Sequence, residues 1–557
     1  MRQFFILLFI SVFSLQTLAN TVSGHNGAVA SRSEIASQVG VDIMQRGGNA
    51  IDAAVAVGFA LAVTYPSAGN IGGGSFFVIH TADGEAITLD AREKAPLSAH
   101  EDMFLDEQGN LDRRLSMASL LASGVPGTVA GLLEALDRHG TMTRAEVIAP
   151  AIRLAREGFA LNEDLAGQFA GVLRSMQAYP ASMAVFTNDG DPYQAGDVWA
   201  QPALADTLER ISEQGRDGFY RGHTADLLVA EMERNGGMIS HRDLQEYDVQ
   251  WRQPIKGSYR DYTIWSMPPS SSGGILLVQM LNMLEPFHVG AMGPGSAPTV
   301  HLMVEAQRRA YADRARHLGD TDYYPVPMEQ LISKDYARTR FDSFDSDAAT
   351  PSETIAPGSW PGESTQTTHY SVMDGSGNAV SVTTTLNSGY GNKIVVPGAG
   401  FLLNNEMDDF SAKPNVPNSY GLIGGEANKV EPGKRMLSSM TPTIVTRNET
   451  PILVTGSPGG STIINTVFQV VVNVIDHQMS LADAVASPRF HHQWQPDAVR
   501  FEEGAFAPGV KERLEAMGHS QLRESGFGMG DANSIYFDGE TITATSDPRN
   551  AGGAAAY

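Results

Sequence analysis

Gln366-Thr367-Thr368-His369-Tyr370-Ser371-Val372-Met373-Asp374-Gly375-Ser376-Gly377-Asn378-Ala379-Val380-Ser381-Val382-Thr383-Thr384-Thr385 reads as two strands joined by a tight loop. The apolar side chains set the register: Tyr370 and Val372 share a face with Val382 and Val380 when Gly375-Ser376-Gly377 is the loop. That register puts Thr367 directly opposite Thr385, and directly opposite residues have Cβ atoms about 4.5 to 5.5 Å apart. The spacing therefore predicts that the Thr385 hydroxyl hydrogen-bonds and orients Thr367. A strand that opens on threonine is, in its bland reading, a Thr-rich edge. In its chemical reading, cleavage between Gln366 and Thr367 gives Thr367 a free α-amine. With a pKa of about 7.7 to 8.0, that amine can accept the proton of its own hydroxyl and activate a poor nucleophile.

The segment before this hairpin differs in kind. Residues Asp345 to Gln366 hold Pro351, Pro357 and Pro361 among Ser, Thr, Asp and Gly, which predicts an exposed linker and a place for cleavage. Beyond it the chain turns to strands, at Thr368 to Asp374, Ala379 to Leu386, Thr443 to Thr446 and Ile452 to Thr455. Before it, helical patterns run from Ser33 to Arg46 and from Ala50 to Val63, the second apolar on nearly every face and so expected to be buried. Gly69 to Gly74 leads into a second hairpin, Phe76 to His80 and Ala86 to Leu89, in which Phe76 and Phe77 are expected in the core. From Thr128 to about Leu318 the pattern is mainly helical, with candidates at Thr128 to His139, Thr224 to Arg234, Gly274 to Leu284 and Thr299 to His317. There is no internal repeat. Helices and strands on either side of one linker suggest layered α and β structure.

Composition narrows the function classes. The 557 residues carry a formal charge of −24, which argues against a nucleic-acid or anionic-membrane partner, since those need a basic footprint. Met1 to Asn20 read as a signal peptide: Arg2 charges the start, Phe4 to Leu15 form the apolar stretch, and cleavage is expected after Ala19. The alternative, a buried N-terminal helix, fits less well at the extreme N-terminus. The expected address is periplasmic or secreted. With no cysteine, the fold has neither disulfides nor thiolate metal sites. His491-His492 stands without a metal-ligand constellation around it.

One further element bears on chemistry. Gly456-Ser457-Pro458-Gly459-Gly460-Ser461 lies between a strand and an apolar helix that begins near Thr462. Backbone amides at such a helix start can stabilise an oxyanion. The same residues can also be a plain tight turn, and a phosphate site is a third option that lacks the lysine of a P-loop.

At these residues the chain resembles the γ-glutamyltranspeptidases from about Gly27 to Tyr557. The resemblance includes Asp90-Ala-Arg92-Glu-Lys-Ala-Pro96, Ser123-Gly-Val-Pro-Gly127, Thr367-Thr-His-Tyr-Ser371, Leu403-Asn-Asn-Glu-Met-Asp-Asp-Phe410, Leu437-Ser-Ser-Met440 and Gly456-Ser-Pro-Gly-Gly460. It implies an α/β fold, the αββα four-layer sandwich of N-terminal-nucleophile hydrolases. That sandwich is built from two intertwined subunits, 20–366 and 367–557, made by autocatalytic cleavage after Gln366 and forming one heterodimer. It implies transfer of a γ-glutamyl group from glutathione-like donors to water or an amine, without cofactor or metal. Position by position, Thr367 is the nucleophile, Thr385 its hydrogen-bonding neighbour, and Gly459 and Gly460 the oxyanion hole. Arg92, Ser438 and Ser439 would hold the substrate α-carboxylate, and Asn387, Glu406 and Asp409 its α-amino group, the charge pattern that a zwitterionic head requires. Pro414 to Gly425, with Tyr420, resembles the family's lid loop.

Taken singly, Arg92 reads as a surface ion-pair partner, Asp408-Asp409 as a solvated loop and Ser438-Ser439 as a polar turn. Two departures from the family pattern are Glu406, where several bacterial members have Gln, and Met436, in place of the usual Pro. The rival readings are a cephalosporin (glutaryl) acylase of the same superfamily and a non-catalytic periplasmic amino-acid-binding protein, which needs neither the linker nor a terminal threonine.

Overall fold

The computed structural model describes residues 20–355, 367–411 and 426–557. The signal peptide, Gln366 and the lid with Tyr420 fall outside the described residues.

Two seven-stranded sheets form the centre. The first runs, edge to edge, through Gly553–Ala556, Gly27–Ser31, Thr367–Asp374, Ala379–Thr385, Gly74–His80, Ala86–Ala91 and Gln250–Arg252, every neighbour antiparallel. The second runs through Asn20–Gly24, Ile542–Ser546, Ser534–Phe537, Thr450–Thr455, Thr443–Arg447, Tyr262–Ser266 and Ile255–Tyr259. Both sheets draw strands from either side of residue 367. The predicted register of the central hairpin is the observed one: Thr367 pairs with Thr385, Tyr370 with Val382 and Val372 with Val380. Packing holds that register. Tyr370, Val372, Val380 and Val382 are almost wholly buried against the helices Glu34–Gln45, Ala50–Thr64 and Thr128–His139. A one-residue slip would turn them to the other face and forfeit roughly 1.5 to 3 kcal/mol for each.

The helix Ala50–Thr64 is buried along its whole length, as its sequence predicts, and is started by a capping box between Asn49 and Asp52. The second sheet is covered by Gly273–Leu284, Ala297–His317 and Thr462–Ile475. Between the sheets, Ala28, Val78 and Met373 meet Ile444, Val454 and Ile535. Polar side chains also cross this layer: the Ser371 hydroxyl donates to Asn533 O at 2.9 Å, and that of Ser381 to Thr455 O at 2.9 Å. The order helix, sheet, sheet, helix is the four-layer α/β sandwich that the resemblance implies.

Three expectations change. The stretch from Thr128 to Leu318 contains the strands Gln250–Arg252, Ile255–Tyr259 and Tyr262–Ser266, which the helical reading passed over. Their hairpin turns at Arg260, whose φ is +53°, without the glycine or asparagine that marks such turns. The linker is exposed at residues 345–348, but Ser352 and Ile355 are buried. Ser352 N–H donates to Asp497 at 2.8 Å and its backbone oxygen accepts from Trp494, which pins this stretch to the body. Asp408 and Asp409 are buried rather than solvated, and Arg92 reaches Asp409 from far along the chain.

Candidate active site

Thr367 is the first residue of its strand, 7 % exposed, and stands on the inter-sheet face with His369 and Ser371. The end of the partner strand is fixed from three sides. The Asn387 N–H donates to Thr385 Oγ1 at 2.7 Å. Asn70 Nδ2 donates to Thr384 Oγ1 at 3.0 Å and to Thr385 O at 2.8 Å, while Asn70 Oδ1 accepts from the Gly73 N–H and from Thr128 Oγ1. A Cβ at Gly73 would come within 2.0 Å of Thr385 O, so only glycine lets this loop approach. Asn70 is a positioning residue that the sequence reading missed. The signal for it was an asparagine inside the glycine-rich turn Gly69 to Gly74.

His369 donates and accepts through both ring nitrogens, to Thr383 and Ser371, each at 3.0 Å. Burial pulls its pKa down to about 3, so it stays neutral and structural near neutral pH.

The glycine loop joins the strand Thr450–Thr455 to the helix Thr462–Ile475. Gly459 and Gly460 have φ of +130° and +58°, conformations that favour glycine. Their carbonyls accept from Thr462 and Ile463 at 3.1 Å, and among the described residues neither glycine N–H has an acceptor. Gly459 and Thr367 line one cavity of about 680 Å³ together with Ser461 and Thr462. Donors held there can meet a carbonyl oxygen bound at Thr367.

The six head-group candidates lie outside the lining of that cavity and form a buried network. Arg92, 1 % exposed, donates through Nη1 to Glu406 and through Nη2 to Asp409 at 2.5 Å, and its Nε reaches Met436 O at 3.2 Å. Asn387, with φ of +72°, donates from Nδ2 to Asn405 O at 2.7 Å, directly before Glu406. Ser438 is clamped to the Ser270–Ser272 segment: its N–H donates to Ser270 O at 2.9 Å and its carbonyl accepts from the Ser272 N–H at 2.7 Å. Arg314 Nη2 approaches Ser439 Oγ at 3.4 Å. Glu93 was quoted as part of a motif but given no role. It is fully buried, with a carboxylate oxygen 3.6 Å from Arg92 and the Glu406 carboxyl beside it. Burial pushes its pKa up to about 7 although Arg92 pulls the other way.

His301, Glu305 and His519 come close enough together to hold a cation. Arg308 and Arg309 already bind Glu305, and His301 Nδ1 is 2.8 Å from His519 Nε2, so Glu305 and these two ring nitrogens already have partners. His491-His492 has no part in that cluster. His491 is held by Asn465 and Gln493.

The sequence model of the family described as gamma-glutamyltranspeptidase matches residues 36–557. The glutathione hydrolase proenzyme of Escherichia coli is 51 % identical over 531 residues, 95 % of this chain and 91 % of that protein. The crystal structure of Helicobacter pylori gamma-glutamyltranspeptidase shares 48 % identity over 58 % of this chain and 93 % of its own, with a TM-score of 0.57. Cephalosporin acylase from Bacillus halodurans superposes over 99 % of both chains with a TM-score of 0.86, at 28 % identity.

Proposed function

The chain belongs to the γ-glutamyltranspeptidase family, and on that premise we propose how its own residues carry out γ-glutamyl hydrolysis and transfer. Cleavage after Gln366 gives two chains of about 347 and 191 residues, Asn20 to Gln366 and Thr367 to Tyr557, which remain one folded heterodimer. The Thr367 hydroxyl attacks the γ-carbonyl of a glutathione-class donor while its α-amine takes the hydroxyl proton. The Gly459 and Gly460 N–H groups hold the oxyanion. The C–N bond then breaks, the leaving amine takes the proton, and a γ-glutamyl-Thr367 ester remains. Water or an amine attacks the ester and gives its proton to the α-amine, and the Thr367 oxygen leaves and recovers that proton.

The observation that carries this reading is the pairing of Thr367 with Thr385 at the mouth of a cavity shared with the Gly459 loop. The head-group assignment is the one the family resemblance implies, and charge supports it. Arg92, Ser438 and Ser439 receive the α-carboxylate, and Asn387, Glu406 and Asp409 receive the ammonium. A zwitterion brings one charge of each sign and so inserts into the existing Arg92–Glu406–Asp409 network without unbalancing it. A glutaryl group has no ammonium for Glu406 and Asp409, which argues for γ-glutamyl over acylase specificity, as does the lower identity to the acylase. Export through the Met1 to Ala19 signal peptide places the enzyme in the periplasm or outside the cell. Among the described residues no helix is long and apolar enough to cross a membrane.

Thr367→Ala is the direct test. On a denaturing gel the wild type should run as two bands and release p-nitroaniline from γ-glutamyl-p-nitroanilide, whereas the variant should run as one inactive chain. Efficient cleavage of the variant at the same bond would rule out self-processing by Thr367.

A further inference from the structure

The cavity at Thr367 is bounded by a small sheet of three strands, Phe490–His491, Val499–Phe501 and Leu522–Glu524. The last two run parallel and set Arg500 directly beside Arg523. Residues in register on neighbouring strands share a face, with backbones about 4.8 Å apart. Both arginines line the cavity that also takes in Thr367 and Gly459.

Two like charges side by side on a sheet repel, and a carboxylate ordinarily offsets them. The chain has 63 acidic side chains against 39 basic ones, so such partners are plentiful. Among the described residues, however, neither guanidinium has a carboxylate within the 4.0 Å of an ion pair. Arg523 donates only to Gln521 Oε1, at 2.5 Å. Both side chains are exposed; partial desolvation lowers the pKa of Arg500, and the Tyr311 phenol pulls the other way. This is the reverse of the head-group pocket, where Arg92 is matched by Glu406 and Asp409.

We propose that Arg500 and Arg523 bind the free carboxylate of the amine partner: the peptide that leaves the donor and the amino acid or peptide that accepts the γ-glutamyl group. The assignment rests on the γ-glutamyl reading of Thr367. The head group is held by residues that do not line this cavity, so the cavity is left for the other side of the scissile bond. A sphere of 680 Å³ is about 11 Å across, and an extended dipeptide spans about 7 Å, enough to place an amine at Thr367 and a carboxylate on the arginines. Guanidinium forks grip a carboxylate through paired hydrogen bonds. Phe527, 81 % exposed on the same wall, offers an apolar surface to the middle of such a peptide.

The test compares glycylglycine with glycylglycinamide as acceptors, at equal free amine, with γ-glutamyl-p-nitroanilide as donor and chromatography of the γ-glutamyl products. Wild type should favour the carboxylate acceptor in kcat/KM by about tenfold or more, the scale of a charge-assisted contact. Arg500→Gln and Arg523→Gln should each bring that ratio towards one, and Arg500→Lys should keep an intermediate preference. The ratio is taken within one mature protein, so a processing defect cancels. Equal use of both acceptors by wild type overturns the proposal without any variant, as does an unchanged ratio in the Gln variants. Wild type that releases no p-nitroaniline would instead sink the γ-glutamyl reading itself.

Discussion

Asp409→Asn separates reading the ammonium from supporting the fold. Asp409 is 5 % exposed and lies at the end of the short helical turn Glu406–Asp409, 2.5 Å from Arg92 Nη2. The substitution keeps the side-chain shape and removes one charge. An ammonium and a carboxylate about 4 Å apart attract by about 4 kcal/mol at the effective dielectric constant of about 20 that suits protein sites. At about 1.4 kcal/mol per tenfold, kcat/KM on γ-glutamyl-p-nitroanilide should fall by about three decades. Glutaryl-p-nitroanilide has no ammonium, so its rate should fall far less, and relief of a repulsive buried carboxylate can raise it. The assay is the ratio of the two kcat/KM values on purified, fully processed protein, because a folding defect lowers both together. A mature variant with the wild-type ratio would show that Asp409 does not read the amino group, and would restore the acylase alternative.

Thr385→Val deletes the acceptor of the Asn387 N–H and should slow both maturation and kcat by about tenfold or more, since an unsatisfied buried donor costs about 1 to 3 kcal/mol. Thr385→Ser should restore both, and normal maturation and turnover in the Val variant would reject the orienting role. Gly459→Ala places a Cβ 2.4 Å from Thr462 Oγ1 at φ +130°, so kcat should drop by about a hundredfold through a displaced oxyanion donor, with KM changed less; a wild-type kcat would remove Gly459 from that role. Glu93→Gln tests the raised carboxyl. Its folded pKa of about 7 lies above the ordinary 4.5, so its contribution to stability is fully present below pH 4.5 and is lost as pH rises through 7. Between pH 5 and 8 the wild type should therefore lose up to about 3 kcal/mol relative to Glu93→Gln in denaturant titrations, and parallel pH profiles would contradict a neutral Glu93.

What could be read from the sequence was local. The hairpin register followed from four apolar side chains at a spacing of two, and that alone brought Thr367 to Thr385. The helix Ala50–Thr64 announced its burial by its composition. The hairpin Ile255–Tyr259 to Tyr262–Ser266 did not, because Gly257 interrupts its inward row and Arg260 takes a turn position usually left to glycine. The head-group network was visible only through family resemblance. Arg92 is 314 residues from Glu406 and 317 from Asp409, and no periodicity links residues so far apart. The same separation explains why Asp408-Asp409 read as a solvated loop: two adjacent acids look soluble until a distant guanidinium is folded against them.

The charges around Thr367 give the site a direction. In the proposed head-group pocket Arg92 faces three carboxyl groups: Glu93, Glu406 and Asp409. With Arg314 3.4 Å from Ser439 Oγ, both signs of charge are present, which suits a ligand that brings an ammonium and a carboxylate together. On the proposed amine side, Arg500 and Arg523 have no ion pair among the described residues, and a ligand that brings a carboxylate is favoured there. A γ-glutamyl peptide has its ammonium at the glutamyl end and its free peptide carboxylate at the other, so only one orientation across Thr367 satisfies both ends. The reversed orientation would bring an ammonium, with its α-carboxylate, to the two arginines and only a carboxylate to Glu406 and Asp409. On these proposed roles the two ends of the donor orient the scissile amide at the nucleophile, and donors lacking either end group should lose rate through misorientation as well as through weaker binding.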